Sequence, residues 1–258
     1  MEQHHLPLIL VVNDDGVDAT GIKALAEVAQ HFGNVVVVAP ARSQSGKSHA
    51  ITFSNPLRYR QLYHSSSLKV YKVHGTPVDA FKVASCDILK GQRIDLLLSG
   101  INHGSNTSSS LIYSGTMAAV IEGCLNGIPS IGFSLADNNG HKDFEPYKLF
   151  VYEIIYNALR NRLPGNVCLN VNIPPVAREE ILGYRITRQA MNHWHEELEA
   201  RTDPTGRPYY WLTGHLGDED QGEDTDEWAV QRNYISIQPV QVDMTAYHYM
   251  ETLKGWRL

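Results

Sequence analysis

Two adjacent carboxylates follow the first apolar run of this 258-residue chain. Asp14 and Asp15 follow residues 8–12 after one intervening asparagine, and this run is continuous, apolar and β-branched, which is typical of a strand covered on both faces. Neighbouring anions repel each other, so a positive group is expected between them. Since carboxylate oxygens are hard ligands, the pattern predicts a divalent cation at the end of this strand.

Two further oxygen donors are expected at the same edge of the sheet. In open α/β sheets, ligands bind beyond the carboxyl ends of the strands, near the point where the strand order reverses. Ser45 lies in the loop after the second predicted strand, and Asn102 lies in the loop after a later one. A set of oxygen ligands without thiolate suits magnesium, manganese or calcium better than zinc. Each of these residues is also common in turns, so the prediction depends on their co-location.

A further group of residues predicts an anion site. Ser114, Gly115 and Thr116 open a predicted helix, and they offer hydroxyls, unpaired backbone N–H groups and the positive end of the helix dipole. Asn106 adds an amide donor nearby. Phosphate is the expected ligand. The alternative is that Ser114 or Thr116 only caps its helix and that Asn106 is a turn residue.

These residues are positioned by an alternation of strands and helices that continues to about residue 175. Thr76, Pro77 and Asp79 have the types and spacing of a helix start. We therefore predict a doubly wound, mostly parallel sheet in a Rossmann-like, three-layer α/β/α arrangement. The predicted strands are residues 8–12, 35–39, 68–73, 95–98, 130–134 and 167–172.

The last third of the chain has a different pattern. Strand-like segments at residues 184–187, 209–213 and 234–242 predict a C-terminal β-hairpin extension. The acidic stretch 218–227 lacks the spacing of a calcium-binding loop and is interpreted as a solvated charge run. We predict an α/β catalytic core at residues 1–182. Residues 183–258 form a hairpin and C-terminal arm of the same domain, used in oligomerisation.

Composition excludes several classes of partner. A net charge of −6 without a cluster of Lys or Arg disfavours binding to nucleic acid or to an anionic membrane. The first residues, 1–5, carry no signal-type pattern, and no apolar run is long enough to span a bilayer, so we expect a soluble cytoplasmic protein. Cys86, Cys124 and Cys168 are widely spaced and are interpreted as buried free thiols.

Five ordered motifs resemble those of the SurE survival-protein nucleotidases, and the resemblance extends over nearly the whole chain. The motifs are Asn13-Asp14-Asp15-Gly16, residues 39–52, Gly75-Thr76-Pro77-Val78-Asp79, residues 99–106 and Tyr113-Ser114-Gly115-Thr116. The resemblance implies a metal-dependent phosphomonoesterase that hydrolyses nucleoside 5′- and 3′-monophosphates and, in some members, short-chain polyphosphate. It also implies a homodimer or homotetramer in which C-terminal arms pair or exchange.

The resemblance assigns roles by motif position. The family's metal ligands correspond to Asp14, Asp15, Ser45 and Asn102 and imply one divalent ion per subunit, Mg²⁺ or Mn²⁺, with Ca²⁺ as another occupant. Its phosphate-binding segment corresponds to Asn106 and to Ser114, Gly115 and Thr116. The chain departs from the family pattern in the loop 106–110, where Ser108 and Ser110 replace a glycine and an acid. This change affects the expected loop conformation and substrate preference, but not the metal ligands.

Metal-assisted hydrolysis is the mechanism we expect, with Asp14 or Asp15 as the acceptor of the water's proton. His49 and His103 are less favoured proton carriers. One alternative is a phospho-accepting receiver domain, although residues 99–102 offer no acceptor carboxylate after the strand at 95–98. The second alternative is a non-catalytic nucleotide-binding module. The sequence has no readable signature for the base or for the 5′ or 3′ ester.

Overall fold

The computed structural model describes residues 6–137, 140 and 143–256, so the amino-terminal residues 1–5 considered above lie outside it. Strands and helices alternate through most of the described chain. The strands are β1 (Leu8–Val12), β2 (Asn34–Pro40), β3 (Tyr59–His64), β4 (Leu68–Val73), β5 (Leu96–His103), β6 (Ser130–Leu135), β7 (Val167–Ile173), β8 (Tyr184–Ile186), β9 (Trp194–Thr202), β10 (Pro208–Leu216) and β11 (Ile235–Gln241). The helices are α1 (Thr20–Ala29), α2 (Pro77–Val83), α3 (Ser110–Tyr113), α4 (Gly115–Leu125), α5 (Lys148–Asn161), α6 (Asp226–Gln231) and α7 (Tyr247–Lys254).

The main sheet has nine strands in the order β3-β4-β2-β1-β5-β6-β7-β11-β8. Strand β1 is central and pairs in parallel with β2 on one side and with β5 on the other. Antiparallel pairing is confined to β3 with β4 and to β7 with β11 within this sheet. The predicted doubly wound, mostly parallel fold is confirmed. Strand order reverses between β1 and β5, which places the expected ligand crevice at their carboxyl ends.

Hydrophobic cores lie on both faces of the sheet and define three layers. On one face, α1 and α5 bury residues such as Ile22, Leu25 and Val151. On the other face, α2 and α4 bury residues such as Phe81 and Met117. Burying one side chain of this size stabilises the fold by about 1.5–3 kcal/mol. Helices cover both faces of the central strands, and these strands are the ones that the continuous apolar runs predicted.

Local signals fix where the two helices on the second face begin. Thr76 accepts a hydrogen bond from the backbone N–H of Asp79, whose carboxylate accepts one from the Thr76 N–H, and Pro77 occupies the first turn of α2. Ser114 caps α4 by accepting from the backbone N–H of Met117 at 3.0 Å. Both predicted helix starts are therefore confirmed.

The C-terminal third contributes to two sheets. Strands β8 and β11 extend the main sheet, whereas β9 and β10 form a separate antiparallel hairpin. The predicted strand at 209–213 lies within β10. Strands β3 and β9 and helices α6 and α7 were not predicted. Strands β3 and β9 and helix α7 are exposed along their whole length, so they have no buried apolar face to reveal them, and α6 is a short helix that begins within the acidic stretch. None of the helices that the structure describes combines the length and apolarity needed to cross a membrane.

The predictions for the acidic stretch and for one cysteine are wrong. The acidic stretch 218–227 is not solvated throughout, because Asp226 is fully buried. Its carboxylate accepts backbone N–H groups of Ser108, Ala190 and Glu227, each at 2.9 Å, and these bonds offset the cost of burying it. Cys86 is exposed, whereas Cys124 and Cys168 are buried as predicted.

Candidate active site

A tight turn directs the two acids at the end of β1. The side chain of Asn13 closes the turn, donating from Nδ2 to the carbonyl of Gly16 at 2.9 Å and accepting from the Gly16 N–H at 3.2 Å. Gly16 has a φ of +102°, and a Cβ there would stand 3.3 Å from the backbone of Arg42. The turn therefore packs directly against the loop after β2, which carries Ser45.

Asp14 is buried against the start of α4. Thr116 donates its hydroxyl proton to Oδ1 of Asp14 at 2.6 Å. Gly115 permits this approach, because a Cβ at residue 115 would stand 2.7 Å from the Asp14 Cβ. Burial, together with the smaller effect of the neighbouring charge of Asp15, raises the pKa of Asp14 to about 6, against the hydrogen bond from Thr116. The carboxylate of Asp14 thus needs a compensating charge to be fully ionised.

Asp15 is less buried and faces β5. Its Oδ2 accepts the backbone N–H of His103 at 3.3 Å. Burial raises the pKa of Asp15, while that hydrogen bond and the nearby His103 ring act in the opposite direction. Within the described ranges, neither Asp14 nor Asp15 forms an ion pair with a lysine or arginine. A cation fits this pair of carboxylates.

The loop after β2 and the end of β5 bring Ser45 and Asn102 next to the acids. The backbone N–H of Gln44 donates to the backbone carbonyl of Asp14 at 2.7 Å. Ser45 is therefore the next residue after one that contacts Asp14 directly. Ser45 is exposed, with its Oγ 3.0 Å from Oγ of Ser43. Asn102 lies within β5, and the prediction of a loop there is wrong because the strand continues to His103. The Asn102 amide nitrogen donates to Gly104 at 2.8 Å, and its oxygen is the atom suited to a cation.

The loop that carries Ser45 is anchored to helices α3 and α4. Ser48 donates its backbone N–H to the carbonyl of Tyr113 at 3.2 Å and its hydroxyl to Ile112 at 2.7 Å. Nε2 of His49 lies 2.9 Å from Oε2 of Glu122, whose Oε1 accepts from Lys82 at 2.5 Å. His49 is thus paired with Glu122, which suits an anchor better than the proton carrier considered above.

The structure gives different roles to the residues predicted to hold phosphate. Ser114 caps α4 at the positive end of an 11-residue helix. The hydroxyl proton of Thr116 is already donated to Asp14, so this side chain orients the acid. Asn106 is buried and its Nδ2 donates to Oγ of Ser134 at 2.8 Å. The predicted residues therefore surround one edge of the sheet, with Thr116 directed at Asp14.

Buried asparagines on β7 support the loop that begins at Asn106. Oδ1 of Asn172 accepts a hydrogen bond from the backbone N–H of Asn106 at 2.8 Å. Nδ2 of Asn170 donates to the backbone carbonyl of Asn106, also at 2.8 Å. Sequence reasoning missed both. The available signal was their placement two residues apart in an otherwise apolar strand, which puts both amides on one face.

Ser108 is the residue at which the resemblance described above leads us to expect a glycine. Its φ is +52°, and the residue is fully buried. Its hydroxyl lies 3.1 Å from the carbonyl of Ala190 and 3.2 Å from both the N–H and the carbonyl of Asn192. Its backbone N–H donates to Asp226 and its carbonyl accepts from Gln189, both at 2.9 Å. These bonds hold the loop in a conformation that a serine adopts only with such support.

Comparison with known proteins decides the family. The family model described as survival protein SurE matches residues 9–196. The chain belongs to the SurE family. Its relatives include proteins named 5′-nucleotidase SurE from Christiangramia forsetii, 50% identical over 98% of this chain and 97% of the relative, and from Flavobacterium johnsoniae, 49% identical over 98% and 97%. The crystal structure of the SurE protein from Aquifex aeolicus superposes with a TM-score of 0.83 at 38% identity, covering 96% of this chain and 98% of that one.

The family match covers the whole candidate site. The acids after β1, the loop after β2, the end of β5 and the start of α4 all lie within residues 9–196. The match also includes Ser108, so the position at which we expected a glycine lies within the matched part of the chain.

Proposed function

We propose that this SurE-family chain is a metal-dependent phosphomonoesterase that hydrolyses nucleoside 5′- and 3′-monophosphates to nucleoside and phosphate. Short-chain polyphosphate is a further proposed substrate. The observation that carries the proposal is the contact between buried Asp14 and the start of α4, at Gly115 and Thr116. It joins two neighbouring carboxylates to a helix end that attracts anions. The names of the relatives favour nucleotides as the substrates.

We assign one divalent cation, Mg²⁺ or Mn²⁺, to Asp14, Asp15, Ser45 and Asn102, and Ca²⁺ is a further possible occupant. When bound, this ion would neutralise phosphoryl oxygens and lower the pKa of a water. The donor set consists of carboxylates, a hydroxyl and an amide, which matches a hard cation. Asp14 is buried and Asp15 is partly buried, and neither has a lysine or arginine partner in the described ranges, which supports this assignment.

The chain's own groups would bind and orient the phosphate. The backbone N–H of Gly115 lies at the positive end of α4, where phosphoryl oxygens are stabilised as charge builds in the transition state. The hydroxyl of Ser114 and the amide of Asn106 would complete this cradle. Thr116 fixes the Asp14 carboxylate through its 2.6 Å hydrogen bond. Asp14 or Asp15 accepts the proton of the attacking water.

The C-terminal region is proposed to assemble the protein into a homodimer or homotetramer in the cytoplasm. Helix α7 buries none of its residues within the subunit, although it carries Tyr247, Met250 and Leu253. In the hairpin, Tyr210 and Trp211 are more than half exposed. Apolar surface of this extent is typical of interfaces. Removing residues 243–258 should reduce the mass measured by light scattering to that of a smaller assembly.

The proposed activity is tested with nucleoside 5′- and 3′-monophosphates and polyphosphate, each assayed after chelation and after return of Mg²⁺, Mn²⁺ or Ca²⁺. We expect phosphate release that chelator abolishes and that Mg²⁺ or Mn²⁺ restores. Asp14→Asn should lose more than about a hundredfold in kcat/KM while remaining folded. Nucleotide binding without phosphate release under every metal condition would refute the enzyme in favour of a binding module.

A further inference from the structure

A cleft opens between the phosphate-binding helix start and the hairpin. It has a volume of about 450 Å³. One wall is α3, which contributes Ser110 and Tyr113, and the other is the base of the hairpin, with Trp194, Glu196 and Leu212. The volume lies in the range of small-ligand sites and suits a ligand of nucleoside size.

The cleft lies beside the proposed phosphate cradle. Tyr113 directly precedes Ser114, the cap of α4, so their Cα atoms are about 3.8 Å apart. The carbonyl of Tyr113 also accepts the backbone N–H of Ser48 at 3.2 Å, which ties this wall to the loop that carries Ser45. The cleft therefore begins next to the helix start at which we propose that the phosphate binds.

The hairpin presents one particular face to the cleft. Glu196 pairs directly with Gly214 and Leu198 with Leu212, so Trp194, Glu196 and Leu212 share a face. Trp211 projects from the opposite face. Gly214 also lines the cleft, together with the indole of Trp194 and the ring of Tyr113. Both rings are partly exposed, at 41% and 52% respectively.

The chemistry of these walls matches a nucleoside. Exposed aromatic faces stack on bases of any sequence. The carboxylate of Glu196 can accept hydrogen bonds from ribose hydroxyls, while it repels additional phosphate groups. Ser110, which stands where the family pattern has an acid, adds a neutral hydroxyl and leaves Glu196 as the carboxylate of this cleft.

We propose that this cleft is the nucleoside subsite, in which Tyr113 and Trp194 stack on the base and Glu196 binds the ribose. The inference rests on the proposed nucleotidase function and adds the residues that set its substrate preference. The competing occupant is the C-terminal arm of a second copy.

Steady-state kinetics on AMP and on ribose 5-phosphate, which lacks the base, tests the subsite. We expect Trp194→Ala and Tyr113→Ala each to raise KM for AMP about tenfold. Their kcat for AMP and their KM for ribose 5-phosphate should stay within about twofold of wild type, and Trp194→Phe should restore most of the affinity for AMP. Trp211→Ala is the matched control, since it removes an indole from the other face of the same hairpin. Equal effects on both substrates, or no effect on either, would overturn the subsite.

Two further measurements separate this inference from the proposed function. Calorimetric titration with adenosine detects the subsite without turnover, and binding by wild type that is lost in Trp194→Ala supports it even if no phosphoester is hydrolysed. Absence of adenosine binding by an enzyme that hydrolyses AMP would refute the subsite alone. Light scattering reports the competing occupant: if Trp194→Ala dissociates the assembly and leaves KM for AMP unchanged, the cleft is an assembly surface and the proposal is wrong.

Discussion

Replacing Gly115 with alanine would test how closely the start of α4 must approach Asp14. A methyl group at residue 115 would stand 2.7 Å from Cβ and 2.9 Å from Oδ2 of Asp14, whereas ordinary van der Waals contact begins at 3.4 Å. One of the two elements must therefore retreat by about 0.7 Å. Both elements carry groups that the proposed chemistry uses, so either movement separates the phosphate cradle from the metal ligands.

The displacement sets the size of the expected effect. A misplacement of about 1 Å can cost about a hundredfold in rate, so we expect kcat/KM to fall by about ten- to a hundredfold. This loss corresponds to about 1.4–2.7 kcal/mol of transition-state stabilisation. Overpacking costs about 1–3 kcal/mol of stability, and the better helix propensity of alanine returns up to about 1 kcal/mol. Since domains of this kind are stable by about 5–15 kcal/mol, the variant should stay folded.

The assay is hydrolysis of a nucleoside monophosphate across a manganese titration, with thermal unfolding measured on the same preparations. Gly165→Ala is the control, because no atom outside its chain neighbours lies within 4 Å of a Cβ built there. It should retain wild-type kinetics. The reasoning would be refuted if folded Gly115→Ala kept kcat/KM within twofold of wild type at every manganese concentration.

Three further predictions follow from buried polar groups. Because burial raises the pKa of Asp14 from 3.8 to about 6, its contribution to stability is present below pH 3.8 and is lost as pH rises through 6, by about 3 kcal/mol. Asp14→Asn should therefore melt at a higher temperature than chelated wild type at pH 7 but not at pH 4; equal melting at pH 7 would contradict this. Burial alone would raise the pKa of Glu122, but Lys82 and His49 hold it below 4.5, so its contribution is present above pH 4.5 and is lost as pH falls through the lowered value. Urea unfolding of Glu122→Gln should show a loss of about 1–3 kcal/mol at pH 7 that shrinks in acid, and a loss independent of pH would be inconsistent with the ion pairs. Ser108→Ala should cost about 1–3 kcal/mol in the same assay and lower kcat/KM for AMP, whereas unchanged values for both would show that its hydroxyl does not hold the loop.

The central sheet could be predicted from the sequence because parallel strands covered on both faces are continuous apolar runs. Residues 8–12 and 35–39 show this pattern, and the strands that contain them are almost completely buried. Helix starts were equally readable where a side chain binds the first turn, as at Thr76 and Ser114. Ligands in open α/β sheets bind at the carboxyl ends of the strands. This rule predicted that the acids, the loop of Ser45 and the end of β5 lie at one edge of the sheet, although their contacts were not known.

Other features could not be read because their determinants are distant in sequence. Asp226 is buried by partners at positions 108 and 190, and nothing within the acidic stretch indicates them. Strand β9 is polar and fully exposed, so it has no alternation of apolar and polar residues to detect. The end of β5 was assigned to a loop because Ser99 and Gly100 resemble turn residues, although strand β6 extends the pairing to His103.

The bonds of Ser108 have a thermodynamic consequence. They link the loop that begins at Asn106 to residues 189–192, which lead directly into the hairpin. A ligand that orders the loop and a neighbour that orders the hairpin therefore act on the same set of bonds. Because such coupling is reciprocal, any gain in substrate affinity caused by subunit association must equal the gain in association caused by substrate.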